Sequence, residues 1–237
     1  MAENLFTWLG HSAFRVETGE GTVIYIDPFL SANPACPPEH QEVVRCDIIA
    51  LTHGHSDHLG DTYEIYQAHR PKIVSIYDLG SILAKHGVSP DDCVGMNIGG
   101  VVEVKGVKFM QTPATHSGST DDDGQLVYGG DPTGYVVELE DGFRFYHSGD
   151  TWVMADMKFI GELFQPEVAF LPIGGHFTMD PRAAALAAKL VGVKRVIPMH
   201  YGTFPLLAGE PLELAQQLEG TGITVLPAEI GVPFVLP

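Results

Sequence analysis

Between Thr52 and Asp61 the chain reads Thr-His-Gly-His-Ser-Asp-His-Leu-Gly-Asp, directly after the apolar run Ile48-Ile49-Ala50-Leu51. His53, His55, Asp57 and His58 are therefore crowded into one short stretch, and no cysteine falls inside it. Neutral imidazole and carboxylate are ligands for zinc, iron or manganese. His53 and His55 alternate, so on an extended or tightly turned backbone they point one way while Asp57 and His58 point elsewhere. One segment can then serve two neighbouring cations. The plainer reading is a polar loop that opens a helix, with Asp57 or Asp61 as its cap and the histidines exposed.

A binuclear centre needs more groups than one segment offers, and they should sit at strand ends on the edge that carries His53. His116, Asp150 and His200 each follow a stretch with strand character. Singly, a histidine or aspartate in that position is more often a turn or capping residue. Joined to the first motif, they bring seven ligand-type side chains to one cleft.

The elements that must position them follow from short apolar runs bounded by turn residues. Strands are predicted near 5–8, 13–17 and 22–26, the last ending at Asp27-Pro28, and a proline-rich loop over 29–40. A fully apolar strand over 47–51 delivers the histidine motif at its C-terminal end, where α/β folds place their chemistry. Helices are expected over 61–69 and 78–86, with a strand over 72–76 between them, and a strand-turn-strand over 101–110. The later chain repeats the pattern: strands over 135–140 and 143–146, ending at Gly149-Asp150, then 167–171 and 195–199. Position 27 corresponds to 150, 47 to 167 and 77 to 200, so register is nearly kept. Asp180-Pro181 and Glu210-Pro211 mark helix starts. Neither half alone would cover its sheet, so the expectation is an α/β protein of two similar halves: two sheets face to face with helices outside, a four-layer αββα sandwich forming one domain over residues 1–237.

Composition bounds the partners. The 237 residues are 45% hydrophobic and 18% charged, an ordinary globular balance. Three cysteines, odd in number and outside metal spacing, suggest a reducing compartment. No basic stretch followed by an apolar core opens the chain, and no long unbroken apolar run occurs, so a soluble, cytoplasmic protein without membrane contact is expected. The formal charge of −17 disfavours an extended nucleic acid, although a small anion could bind where metals dominate the local field. Asp121-Asp122-Asp123 reads as a solvated loop face. The partner expected is a small-molecule substrate, and a homo-oligomer stays open.

The sequence resembles the metallo-β-lactamase superfamily over nearly its whole length. The resemblance rests on His53-x-His55-x-Asp57-His58, on Ala114-Thr115-His116-Ser117, on His147-Ser148-Gly149-Asp150-Thr151 and on His200. Within the superfamily, the stretches starting at Trp8-Leu9-Gly10-His11, Pro172-Ile173-Gly174-Gly175-His176 and Pro198-Met199-His200-Tyr201 look like the UPF0173 and ascorbate-6-phosphate lactonase group. The resemblance implies two divalent metal ions, zinc first with manganese or iron as alternatives. His53, His55 and His116 would bind one, and Asp57, His58 and His200 the other, with Asp150 bridging. Paired cations lower the pKa of a shared water, so the implied function is hydrolysis by a metal-bridged hydroxide of an ester-type bond, a lactone or other ester, in a small and anionic substrate. Alternatives are a phosphodiesterase or nuclease of the same superfamily and a non-catalytic metal-binding protein.

Asp57 is the expected proton acceptor. His11 and His176 are further candidate catalytic or substrate-binding residues, His11 with a role in supporting the metal shell or a plain turn histidine as alternatives. Tyr201 could hydrogen-bond a substrate oxygen or simply pack. His147 is expected to orient neighbours rather than bind metal. The Gly- and Asp-rich segment 117–133 reads as an unstructured flap over the cleft. His40, His69 and His86 fit no site and read as surface residues.

Overall fold

Short β-branched and aromatic runs, cut by glycine- and proline-containing turns, set the strands of a computed structural model that describes residues 2–236. The first half comprises β1 (Leu5–Trp8), β2 (Phe14–Glu17), β3 (Val23–Ile26), α1 (Pro38–Gln41), β4 (Ile48–Ala50), α2 (Ser56–Leu59), α3 (Thr62–His69), β5 (Lys72–Ile76), α4 (Tyr77–Lys85) and β6 (Cys93–Met96). The second half continues with β7 (Val101–Val104), β8 (Val107–Pro113), β9 (Ser119–Asp122), β10 (Gln125–Tyr128), β11 (Thr133–Glu138), β12 (Arg144–His147), α5 (Met157–Phe164), β13 (Val168–Pro172), α6 (Pro181–Val191), β14 (Arg195–Met199), α7 (Pro211–Gln217) and β15 (Thr224–Val225). The last strand, β16 (Phe234–Val235), returns to the first sheet beside β1.

The two sheets have the same plan. One is ordered β16-β1-β2-β3-β4-β5-β6 and the other β7-β8-β11-β12-β13-β14-β15. In each, the first three pairings are antiparallel and the last three parallel. Parallel neighbours need crossovers, and these carry the helices: α2 and α3 between β4 and β5, α4 between β5 and β6, α5, α6 and α7 in the second half. The near-repeat in the sequence is thus a repeat of topology, with Asp27 after β3 and Asp150 after β12 at equivalent strand ends.

Three apolar layers hold four structural layers together. The central one fills the space between the sheets, where Phe6 meets Phe145 and Phe170 edge-on at 5.4 and 6.0 Å. A second lies between the second sheet and α5 to α7, rich in Ala183, Ala184, Ala187 and Ala188 of α6. The third lies between the first sheet and α3 and α4, built on Ile65, Tyr66, Leu79 and Leu83. Helix α6 starts where Asp180 and Pro181 predict it, the Ala183 N–H donating to Asp180 Oδ1 at 2.8 Å.

Three expectations are corrected. The segment 117–133 is not structureless: β9 and β10 form a hairpin closed by Asp123 and Gly124, both in the left-handed region. Within Asp121-Asp122-Asp123 the middle residue, partly exposed, is ion-paired rather than free: Asp122 accepts from Lys85 Nζ at 2.8 Å and pairs with His86 Nε2 at 2.6 Å. The loop expected over 29–40 ends in the single turn α1, and His40 and His69 are tied to the backbone carbonyls of Gly231 and Val43.

Candidate metal centre

All seven candidate ligands sit in segments that leave strands at one edge of the sandwich. β4 runs into 52–58, β8 into 114–118, β12 into 148–150 and β14 into His200. The edge is closed between halves by Thr52, whose carbonyl accepts from the Thr133 N–H at 3.0 Å and the Thr133 hydroxyl at 2.9 Å. Gly149 passes so close that an added Cβ would lie 2.5 Å from the Thr133 oxygen and 2.8 Å from Thr52 Cβ, and its φ is +60°. Only glycine lets Asp150 reach the site from that strand end.

The exposed-histidine reading of the first motif fails on burial: His53 is 1% and His58 0% exposed; Asp57 lies inside α2, and Asp61 sits at the N-cap of α3 without a side-chain capping bond. Asp61 instead accepts from the backbone N–H groups of Leu30 and Ser31. Ligand-type atoms converge in three overlapping groups, each within 4.8 Å: His53, His55 and His116; His53, His58 and Asp150; and Asp57, His58 and His200 together with His11.

Hydrogen bonds decide which nitrogen of each ring is free. Asp27, fully buried, accepts from Thr52 N at 2.8 Å, Thr52 Oγ1 at 2.6 Å and His58 Nδ1 at 2.7 Å. His58 therefore carries its proton on Nδ1 and turns Nε2 towards Asp150 Oδ2, 3.3 Å away. With the Thr52 hydroxyl hydrogen committed to Asp27, its oxygen accepts from His53 Nδ1 at 3.0 Å, which leaves His53 Nε2 free. His55 uses Nε2 towards Ser117 Oγ at 3.2 Å and presents Nδ1 to His53 Nε2 at 2.9 Å. Asp150 Oδ2 also lies 2.9 Å from His200 Nε2 and 3.7 Å from His116 Nε2.

Although Asp150 Oδ2 stands close to His58 Nε2 and His200 Nε2, neither approach makes a well-formed hydrogen bond, and these two nitrogens, His200 Nδ1 and Asp150 Oδ1 are buried without a hydrogen-bond partner. Unpaired groups at such depth are costly unless a cation or proton serves them. The ionisation balance has the same cause. Burial opposes charge on Asp150, yet His200 and His58 hold its carboxyl well below the usual carboxylate range. Burial would also keep His58 neutral, but Asp150 and Asp27 on its two sides raise it well above the ordinary imidazole value. Desolvation lowers His53, His55 and His116. Three neutral imidazoles, His53, His55 and His116, beside the ionised Asp150 carboxylate are a donor set that fits divalent cations.

His11 lies at the turn between β1 and β2, 1% exposed, with Nε2 3.0 Å from Asp57 Oδ2 and Nδ1 3.1 Å from Thr203 Oγ1. Burial pushes its imidazole down to about 4, and burial's opposing pull on Asp57 is overcome by the His11 hydrogen bond and His58, which hold that carboxyl well below its usual range. His147 is buried and spans the sheets: Gly149 N–H donates to its Nδ1 at 3.2 Å, so Nε2–H donates to the Ser12 carbonyl at 3.1 Å. Tyr201 is stacked on Trp8 at 5.2 Å. His176 is exposed after β13, its ring edge-on to Phe177 at 4.4 Å, and it joins none of the three ligand groups among the described residues. Sequence reasoning passed over Asp27, Thr52, Ser117 and Thr203; the one available signal was that Asp27 corresponds to Asp150 in the near-repeat.

Comparison with known proteins assigns the family. The family described as "Beta-lactamase superfamily domain" matches residues 22–201. A UPF0173 metal-dependent hydrolase of Koribacter versatilis is 48% identical over 213 residues, covering 90% of this chain and 91% of the relative. The chain belongs to the UPF0173 metal-dependent hydrolases of the metallo-β-lactamase superfamily. A hydrolase of the same group from Methanopyrus kandleri is 48% identical over 219 residues, covering 92% and 93% of the two chains. The solved structure of Igni18, described as a novel metallo hydrolase from Ignicoccus hospitalis, superposes with a TM-score of 0.87 at 38% identity, each chain covered in full. The enzyme is accordingly a metal-dependent hydrolase with an αββα sandwich, and among its described residues no helix is long and apolar enough to cross a membrane.

Proposed function

We propose that this hydrolase cleaves an ester-type bond, a lactone or another ester, of a small substrate, and that His53, His55, Asp57, His58, His116, Asp150 and His200 hold two divalent cations, zinc before manganese or iron. The observation that carries the reading is the position of Asp150 Oδ2, within 3.7 Å of nitrogens from His58, His116 and His200, which come from the ligand sets of both cations. Bound cations supply Lewis acidity for activating water and for stabilising the negative charge that develops on the scissile group.

The chain's own residues do the rest. Asp27 and Thr52 fix the tautomers of His58 and His53, so that both rings offer Nε2. Asp57, at 34% side-chain exposure against 3% for Asp150, is the carboxylate that solvent and substrate can reach. Ionised at neutral pH, it accepts the proton that leaves the attacking water and returns it to the departing oxygen.

An ester is favoured over a phosphodiester by what surrounds the ligands. No Lys or Arg occurs in residues 51–61, 111–143, 145–157, 171–180 or 199–211. A phosphodiester would have its charge met by the metals alone, and so would any anionic group elsewhere on the substrate. The test is elemental analysis of protein purified without added metal, followed by turnover on a lactone, a thioester and a phosphodiester. Two metals per chain and lactone cleavage lost on chelation are expected. Folded, metal-free protein inert on all three would overturn the reading, and an Asp57→Asn enzyme with full turnover and unchanged metal content would remove the proton-transfer role.

A further inference from the structure

His11 is within reach of the same cluster as Asp57, His58 and His200, but it has no lone pair left for a metal. Asp57 is an ionised acceptor, so the His11 ring carries its proton on Nε2 and donates it to Oδ2 at 3.0 Å. Nδ1 is then an acceptor, and the Thr203 hydroxyl donates to it at 3.1 Å. Both nitrogens are spent on the protein itself.

The residue is also locked from every other side. Its carbonyl accepts from the His200 N–H at 2.9 Å and from Trp8 Nε1 at 2.9 Å. Its ring lies 3.8 Å from the His200 ring and 5.7 Å from that of Phe204. Its φ is +56°, a conformation that a β-carbon disfavours and that these contacts over-determine. One side chain thus touches two candidate ligands contributed by opposite halves of the molecule, Asp57 and His200, and is backed by Thr203 from the loop after β14.

We infer that His11, held by Thr203, is the positioning residue that fixes Asp57 as a ligand. It ties down one carboxylate oxygen and so directs the other to the cation shared with His58 and His200. The inference rests on the two-cation reading given above. It separates the seven ligands from an eighth residue that resembles one by position, and it gives His11 and Thr203 a common task.

The experiment exploits a conflict between backbone and hydrogen bond at position 11. Asparagine tolerates positive φ better than other non-glycine residues, but its short amide mimics Nδ1 and cannot reach Asp57. Glutamine is more strained there than histidine, yet its amide N–H mimics Nε2–H. Zinc binding by the full chain is measured by competition with a chromophoric chelator, with the melting temperature of each metal-free variant as the folding control. Wild type is expected to take two equivalents. His11→Gln should keep both within about threefold, whereas His11→Asn and His11→Ala should bind the second equivalent roughly 10- to 100-fold more weakly. Adding His11→Asn to Asp57→Ala should cause no further loss. Thr203→Val should weaken the second equivalent less, and Thr203→Ser should restore it; these variants carry the test if position 11 tolerates no change. The inference is overturned if His11→Asn binds both equivalents as wild type does, if Gln and Asn fall together, or if Thr203→Val matches wild type. A wild-type chain that takes fewer than two equivalents overturns the two-cation reading instead.

Discussion

Asp27 and Asp150 leave equivalent strands of the two sheets and face opposite nitrogens of one imidazole, Asp27 Oδ2 at 2.7 Å from His58 Nδ1 and Asp150 Oδ2 at 3.3 Å from His58 Nε2. The repeated fold therefore supplies both a candidate ligand and the group that orients its neighbour. Asp27 accepts from three donors, and an asparagine there would turn an amide N–H towards at least one of them. Asp27→Asn is expected to weaken zinc binding by about 10- to 100-fold through His58 and His53. It should also lower the stability of the metal-free protein by about 1–3 kcal/mol, the range for a buried group left unpaired. Chelator competition and urea unfolding read the two effects separately.

Cations should also contribute to folding, because the unpaired atoms of His58, His200 and Asp150 are buried without them. At a free zinc concentration about a hundredfold above Kd, binding adds about 2.7 kcal/mol. For a chain of this size that corresponds to roughly 5–10 °C in melting temperature. Adding zinc to chelated protein should raise the melting temperature by that order, and Asp150→Asn should abolish most of the rise. An unchanged melting temperature in wild type would show that the site closes without metal.

Much of this arrangement is legible in the sequence, for local reasons. Strands such as Ile48–Ala50 and Val168–Pro172 are short apolar runs, buried on both faces, and their C-terminal ends coincide with His, Asp and Gly. Asp27 was not legible as a site residue, since an aspartate before proline reads as a turn and its three donors lie 25 and 31 positions away. The partner of His11 was hidden for the same reason, with Thr203 lying 192 positions along the chain. The Gly and Asp content of residues 117–133 suggests a loop where the structure has the hairpin β9–β10. Yet Asp123-Gly124 between pairing residues Asp122 and Gln125 is a strong two-residue hairpin signal, and Lys85 and His86 of a distant helix end secure it.

That hairpin packs on the histidine motif through a glycine. A Cβ at Gly54 would stand 2.7 Å from Thr120 Cβ and 3.3 Å from Leu79 Cδ1, so Gly54→Ala must displace the hairpin or the motif. The expected cost is about 1–3 kcal/mol of overpacking. Amide hydrogen exchange over residues 117–128 should quicken, and the Ser117 to His55 contact should loosen. The double variant Gly54→Ala, Thr120→Gly should recover wild-type exchange in the motif. Unchanged exchange in the single variant would mean that the hairpin does not rest there.

The pH dependence of the metal-free protein should carry the signature of His147. Burial keeps its imidazole neutral and its pKa below the ordinary value, while Nε2–H and Nδ1 bind Ser12 and Gly149. Below about pH 6.5 the unfolded chain takes up a proton at this residue that the native protein does not. Its contribution to stability is therefore complete above that pH and is lost as pH falls towards the folded value, by at most about 1.4 kcal/mol per unit. His58 is raised and acts in the opposite sense, so the comparison must be with a variant rather than with an absolute slope. His147→Gln keeps a donor for the Ser12 carbonyl and removes the titration. Urea unfolding at pH 7.5 and 5.5 should show a smaller loss of stability in the variant than in wild type, and equal losses would mean that His147 does not stay neutral on folding.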